Sequence, residues 1–227
     1  HRYIRRQRQM CIRDRGRNVL YITMEMAEEK IAERIDANLL NIPIQKLQDL
    51  PKVMFESKVK NLAKKTQGRL IIKEYPTASA HVGHFKSLMS DLALKKSIKP
   101  DIIFIDYLNI CASQRYKGSI VNSYTYVKAI AEELRGLAVE SNVPIVTATQ
   151  TTRSGFGSSD VDLTDTSESF GLPATADLMF ALISTEELEE MNQIMVKQLK
   201  NRYNDPTMNK RFTTVSYTHL RAHETSQ

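Results

Sequence analysis

The sequence predicts an α/β fold, a mostly parallel sheet flanked by helices. Three observations lead there. Short runs of apolar β-formers recur along the chain, among them NVLYIT at 18–23 and IIFID at 102–106. Stretches of helical length and spacing lie between them. Proline or glycine punctuates several of the junctions. Strands alternating with helices of this length argue for right-handed βαβ units.

The elements run in order along the chain. Residues 18–23 read as a buried strand. A helix over 26–38 carries Ile31 and Ile35 at helical spacing, and a helical region punctuated by Pro43 and Pro51 runs on to about Thr66. Gly68 stops it, as a residue past a helix C-terminus does. Residues 69–75 form a second strand, ended by Pro76. A helix over 84–96 turns Phe85, Leu88 and Leu92 inward, and Pro100 closes the segment. Residues 102–106 are apolar until the final aspartate, which predicts a strand covered on both faces. A long helix over 127–141 leads to a strand over 145–149 and a polar loop over 151–165 with Gly155 and Gly157. Strands over 178–184 and 194–200, with an acidic helical turn between them, complete the series.

Composition bounds the class. A chain of 227 residues, 41% hydrophobic and 26% charged, suits one globular domain with a full core. No run approaches the ~18 apolar residues of a membrane span. Cys11 and Cys111 lie far apart without metal-ligand spacing, which suggests a reducing compartment and no disulfide framework. No apolar stretch of signal-peptide length follows the basic start. The net charge of +6 resides in residues 1–17, which hold seven arginines and one aspartate. It therefore gives no nucleic-acid signal for the rest of the chain. RQRQMCIRDR near the start and VSYTHLRAHET near the end resemble translated sequencing-adaptor sequence. Residues 1–17 and 213–227 are accordingly expected to be non-native or disordered flanks, with the domain over 18–212.

In an open α/β sheet, ligands sit at the carboxyl ends of the strands. The first strand ends in Thr23, Met24 and Glu25, the third in Asp106, the fourth in Gln150, and the last in Lys200, Asn201 and Arg202. Two carboxylates, an amide, a lysine and an arginine suit phosphoryl transfer, which needs a metal holder, a group orienting water and cations for developing charge. Singly these residues say little. An aspartate ending a buried strand serves equally as a turn or N-cap residue, and a glutamate before a helix favours the helix N-terminus. His81 and His84 lack further metal ligands around them. Met24, Met26, Met179 and Met195 read as core gap-fillers.

Longer stretches are more specific. YITMEM at 21–26, IIFIDYLNI at 102–110, VKAIAEELRGLAVESNVPIVTATQTTR at 127–153 and VKQLKNRY at 196–203 resemble, in order and spacing, the DnaB family of RecA-like hexameric replicative DNA helicases. DANLL at 36–40, NSYTYVKAIAEELR at 122–135 and GLPATADLMFALI at 171–183 look closest to the T-even-type phage branch of that family. The resemblance implies a RecA-like P-loop NTPase core that uses ATP and Mg2+. Glu25 would polarise the attacking water, and Asp106 would hold magnesium through water. Gln150 would sense the γ-phosphate. Lys200 and Arg202 would reach into a neighbouring subunit's site, Arg202 as an arginine finger. Arg153, Ser154 and Gly155 would touch single-stranded DNA. The implied partners are single-stranded DNA, five further copies in a homohexamer, a primase and a helicase loader; no membrane is implied. The implied location is the cytoplasm, the host's if the gene belongs to a phage.

One departure stands out. A phosphate-binding loop needs G-x-x-x-x-G-K-[ST], and none of the eight glycines is followed by lysine and then serine or threonine. In the family that loop precedes the strand ending in Glu25, so the chain is expected to be a partial ATPase domain, inactive alone. The competing readings are another RecA-fold ATPase, a recombinase or KaiC-like protein, and a non-enzymatic module of the same fold.

Overall fold

The computed structural model describes residues 16–65, 67–116, 121–151, 162, 171–205 and 208–215. The first sheet has four parallel strands in the order β2-β1-β3-β4. These are β1 (Val19–Thr23), β2 (Leu70–Glu74), β3 (Ile102–Asp106) and β4 (Ile145–Thr147). Helices α1 (Glu28–Leu40), α2 (Ile44–Gln48) and α3 (Lys52–Lys65) connect β1 to β2. Helix α4 (Val82–Lys96) leads to β3, and α5 (Ser123–Ser141) leads to β4. Each connection is long enough for the crossover that parallel pairing requires.

Alternation fixes the core. Leu20 and Ile22 of β1, with Ile103 and Ile105 of β3, form one buried face. Phe85 and Leu92 of α4 and Val127, Ile130, Leu134 and Leu137 of α5 pack in the same cluster. Side chains of this kind contribute roughly 1.5–3 kcal/mol each when fully buried. The opposite face of β3, with Ile102 and Phe104, is only half-buried. Complete coverage of β3 on both sides is thus not what the fold adopts, because α1 on that side packs against β2.

The caps explain the helix boundaries. Asn122 accepts a hydrogen bond from Thr125 N at 2.8 Å, so α5 starts four residues before the apolar periodicity does. It ends at Asn142 in the left-handed region, φ 52°. His81 and His84 cap α4: His81 Nδ1 accepts from Gly83 N at 3.0 Å, and His81 N donates to His84 Nδ1 at 3.2 Å. Gly68 lies where a Cβ would come 2.1 Å from the Arg17 carbonyl, so only glycine lets the leads into β1 and β2 run this close.

The last strands depart from the parallel expectation. β5 (Leu178–Ile183), β6 (Gln193–Asn201) and β7 (Arg211–Val215) form a separate antiparallel sheet, with α6 (Gly171–Thr175) before it and α7 (Glu186–Glu190) between β5 and β6. The five-residue α7 is too short for a parallel crossover, so the chain folds back as a hairpin. Ordered contacts also reach beyond 18–212. Arg17 pairs with Asp101 at 2.9 Å, and Thr213, Thr214 and Val215 pair with β6. Among the described residues no helix is long and apolar enough to cross a membrane.

Candidate functional site

Three of the candidates meet at the carboxyl edge of the parallel sheet. Thr23 is in register with Asp106, and Ile105 with Thr147. Met24 N donates to the Asp106 carbonyl at 3.0 Å, carrying the β1–β3 pairing one step past the strand. There the chain turns sharply. Thr23 Oγ1, fully buried, accepts from Met26 N at 3.1 Å and donates to the Met26 carbonyl at 2.8 Å. Glu25 is the exposed residue inside this turn.

Asp106 is half-buried, and its Oδ2 accepts a hydrogen bond of 2.9 Å from the Tyr21 hydroxyl. Burial, then that hydrogen bond and the charge of Asp106, raise the Tyr21 hydroxyl well above the usual tyrosine value. Tyr21 therefore remains a protonated donor at neutral pH. Among the described residues Asp106 Oδ1 has no hydrogen-bond partner. The Asp106–Tyr107 peptide is cis.

Gln150 is exposed, and its Nε2 donates to the Tyr107 hydroxyl at 3.3 Å. β4 stops at Thr147, earlier than the predicted 149, because residues 148–149 bond to the segment after Asp106 instead. Leu108 N donates to the Ala148 carbonyl at 3.1 Å, and Thr149 Oγ1 donates to Asn109 Oδ1 at 2.8 Å. The chain leading to Gln150 is thus tied to the chain leaving Asp106.

Lys200 lies in β6 of the other sheet, and Arg202 directly follows the end of that strand. Lys200 Nζ donates to the carbonyls of Pro173 at 2.5 Å and Ala174 at 3.2 Å. Burial, then the neighbouring charge of Arg202, holds its ammonium below the usual lysine value. Arg202 donates through Nη1 to Asp177 Oδ1 at 2.7 Å and through Nη2 to the Ala174 carbonyl at 3.1 Å. The other oxygen of Asp177 pairs with Arg135 Nη1 at 2.8 Å. Neither Lys200 nor Arg202 bonds to Glu25, Asp106 or Gln150 among the described residues. Arg153, Ser154 and Gly155 lie outside the described residues.

Sequence reasoning missed Tyr21, Tyr107, Arg135 and Asp177. Tyr21 carried a usable signal: alternation with Leu20 and Ile22 sets it on the face of Thr23, beside the register position of Asp106. The pairing of Arg135 with Asp177 has no local signal, since it spans 42 positions between two elements.

A parallel sheet with Glu25, Asp106 and Gln150 along its carboxyl edge defines an open α/β class that places ligands at its strand ends. The comparisons narrow that class. The family model described as "DnaB-like helicase C terminal domain" matches residues 4–216, and the chain belongs to that family. It is 50% identical over 193 residues to the "DnaB-like replicative helicase" of Enterobacteria phage T4, covering 84% of this chain and 41% of the relative. It is 32% identical over 141 residues to a "Probable plasmid replicative DNA helicase" of Chlamydia trachomatis, covering 60% and 29%. Two solved structures share the fold at 20% identity. One, described as an ATPase domain, superposes with a TM-score of 0.71 over 89% of this chain and 72% of its own. The other, a DnaB-like replicative helicase described with its interactions with primase, gives 0.69 over 89% and 48%. The chain spans about two fifths of the length of the T4 relative.

Proposed function

We propose that this chain is the ATPase portion of a replicative DNA helicase that unwinds duplex DNA by translocating on single-stranded DNA as a hexameric ring. The observation that carries this reading is the row of Glu25, Asp106 and Gln150 on one sheet edge, reached from three adjacent strands. Asp106 suits Mg2+, a hard cation that keeps several waters and binds through few carboxylates: Tyr21 fixes one oxygen, and the other has no hydrogen-bond partner among the described residues. A bound Mg2+ would supply charge neutralisation on the phosphates. Glu25, exposed at the turn, orients and polarises the attacking water. Gln150 senses the terminal phosphate, and its bond to Tyr107 couples it to the segment after Asp106. The loop after it, with Arg153, Ser154 and Gly155, contacts single-stranded DNA. Lys200 and Arg202 serve the site of a neighbouring subunit. In the longer protein a phosphate-binding loop precedes residue 18, and a primase and a loader are its partners.

The test uses that longer protein. Glu25→Gln keeps size and hydrogen bonding but removes the base. ATP and DNA binding should persist while hydrolysis falls by about 10²-fold or more, the lower end of what general-base groups contribute. Retained hydrolysis would remove Glu25 from the mechanism and leave the sheet edge without its central role.

A further inference from the structure

We infer that Asp177 is a positioning residue that presents Arg202 for catalysis, an inference that rests on the reading of Arg202 as an arginine finger. Asp177 divides its carboxylate between two cations. Oδ1 accepts from Arg202 at 2.7 Å and Oδ2 pairs with Arg135 of α5 at 2.8 Å. The same short segment holds the rest of Arg202: Asp177's carbonyl accepts from Arg202 N at 2.9 Å, and the Ala174 carbonyl accepts from Nη2 at 3.1 Å. Arg135 in turn donates to the Thr175 carbonyl at 2.9 Å. Backbone and guanidinium of Arg202 are therefore fixed to residues 174–177, and those residues to α5.

The arrangement leaves Arg202 able to act. A guanidinium has five donors, and Asp177 and Ala174 take two of them. The Arg202 side chain remains 40% exposed. Asp177 holds Nη1 and Ala174 holds Nη2 by one hydrogen each, and the remaining guanidinium hydrogens have no partner among the described residues. An isolated arginine on a strand end would sample many rotamers, and holding one of them lowers the entropy lost when phosphate arrives. Because the anchor runs through Arg135, movement of α5 in one subunit would shift the fork offered to its neighbour.

The experiment is a double-mutant cycle in the full-length hexamer, with Asp177→Asn, Arg202→Ala and both together. An amide presents an N–H2 group where one of the two guanidiniums needs an acceptor, and the volume is unchanged. Asp177→Asn should lower kcat about 10- to 100-fold, the range a misplaced catalytic group costs, with KM for ATP within about twofold. In the Arg202→Ala background the same change should have no further effect on kcat. Asp177→Glu keeps the carboxylate and should recover part of the rate. If Asp177→Asn slows hydrolysis equally in both backgrounds, Asp177 does not act through Arg202 and the inference fails. A fast Asp177→Asn beside a slow Arg202→Ala overturns the positioning role alone. A fast Arg202→Ala overturns the finger reading and the inference with it.

Discussion

At the scale of single residues, Arg202 and Asp101 carry the sharpest expectations. Arginine fingers supplied in trans are worth about 10³–10⁵-fold in rate. Arg202→Ala in the full-length protein should form hexamers and bind nucleotide, yet hydrolyse it slowly. Arg202→Lys should rescue little, since lysine keeps the charge but loses the planar fork. Mixing Arg202→Ala with Glu25→Gln subunits should return part of the activity, because some interfaces then combine an intact Glu25 with an intact Arg202. Activity that never exceeds the sum of the separate mutants, in rings shown to mix, would argue against action across the interface. Asp101 gives a pH expectation. The hydrogen bond from Asn18 N, then that from Arg17, holds its carboxyl below the usual range. Its ionised form is thus favoured in the fold, so its stabilisation is present at neutral pH and lost as pH falls below about 4. Asp101→Asn should lower the neutral-pH melting temperature slightly and flatten its acid dependence; an unchanged acid limb would show the network contributes nothing.

At the scale of elements, α5 is the test of capping. It has 19 residues, and one face supplies Val127, Ile130, Leu134 and Leu137 to the core. The Asn122 side chain satisfies one of the free N–H groups of the first turn, that of Thr125, at 2.8 Å. Asn122→Ala should cost about 1 kcal/mol, read as a lower urea midpoint with an unchanged slope. No shift in midpoint would mean that the first turn is held by its neighbours alone. The start of α5 was not legible from periodicity because residues 123–126, Ser-Tyr-Thr-Tyr, carry little of the apolar pattern. The end of β4 was hidden for another reason. Thr149 has strand propensity, yet its hydroxyl bonds to Asn109, a partner 40 positions away.

At the scale of the whole molecule, the sequence has no phosphate-binding loop pattern. The purified 227-residue chain should therefore show no steady ATP hydrolysis; turnover that vanishes with Glu25→Gln would mean that its site is complete. Removing residues 1–16 and 216–227 should leave the melting temperature nearly unchanged, since neither segment has a consistent apolar face. A substantial drop would show that these ends belong to the fold.

What the sequence determined by itself is the parallel α/β sheet and the residues at its carboxyl edge. Those are local properties: apolar β-forming runs set β1 and β3, helical stretches between strands force crossovers, and strand ends nominate Glu25, Asp106 and Gln150. Tertiary structure alone decided which of the candidates stand together. β1, β3 and β4 are neighbours, so their ends converge, whereas the short link through α7 makes β5–β6 a hairpin and sets Lys200 in, and Arg202 just past, a strand of a second sheet. It also decided who holds each charged group, Tyr21 for Asp106 and Asp177 for Arg202. Hydrogen bonds of that kind depend on register and packing between segments 25 to 85 positions apart, which no local pattern encodes.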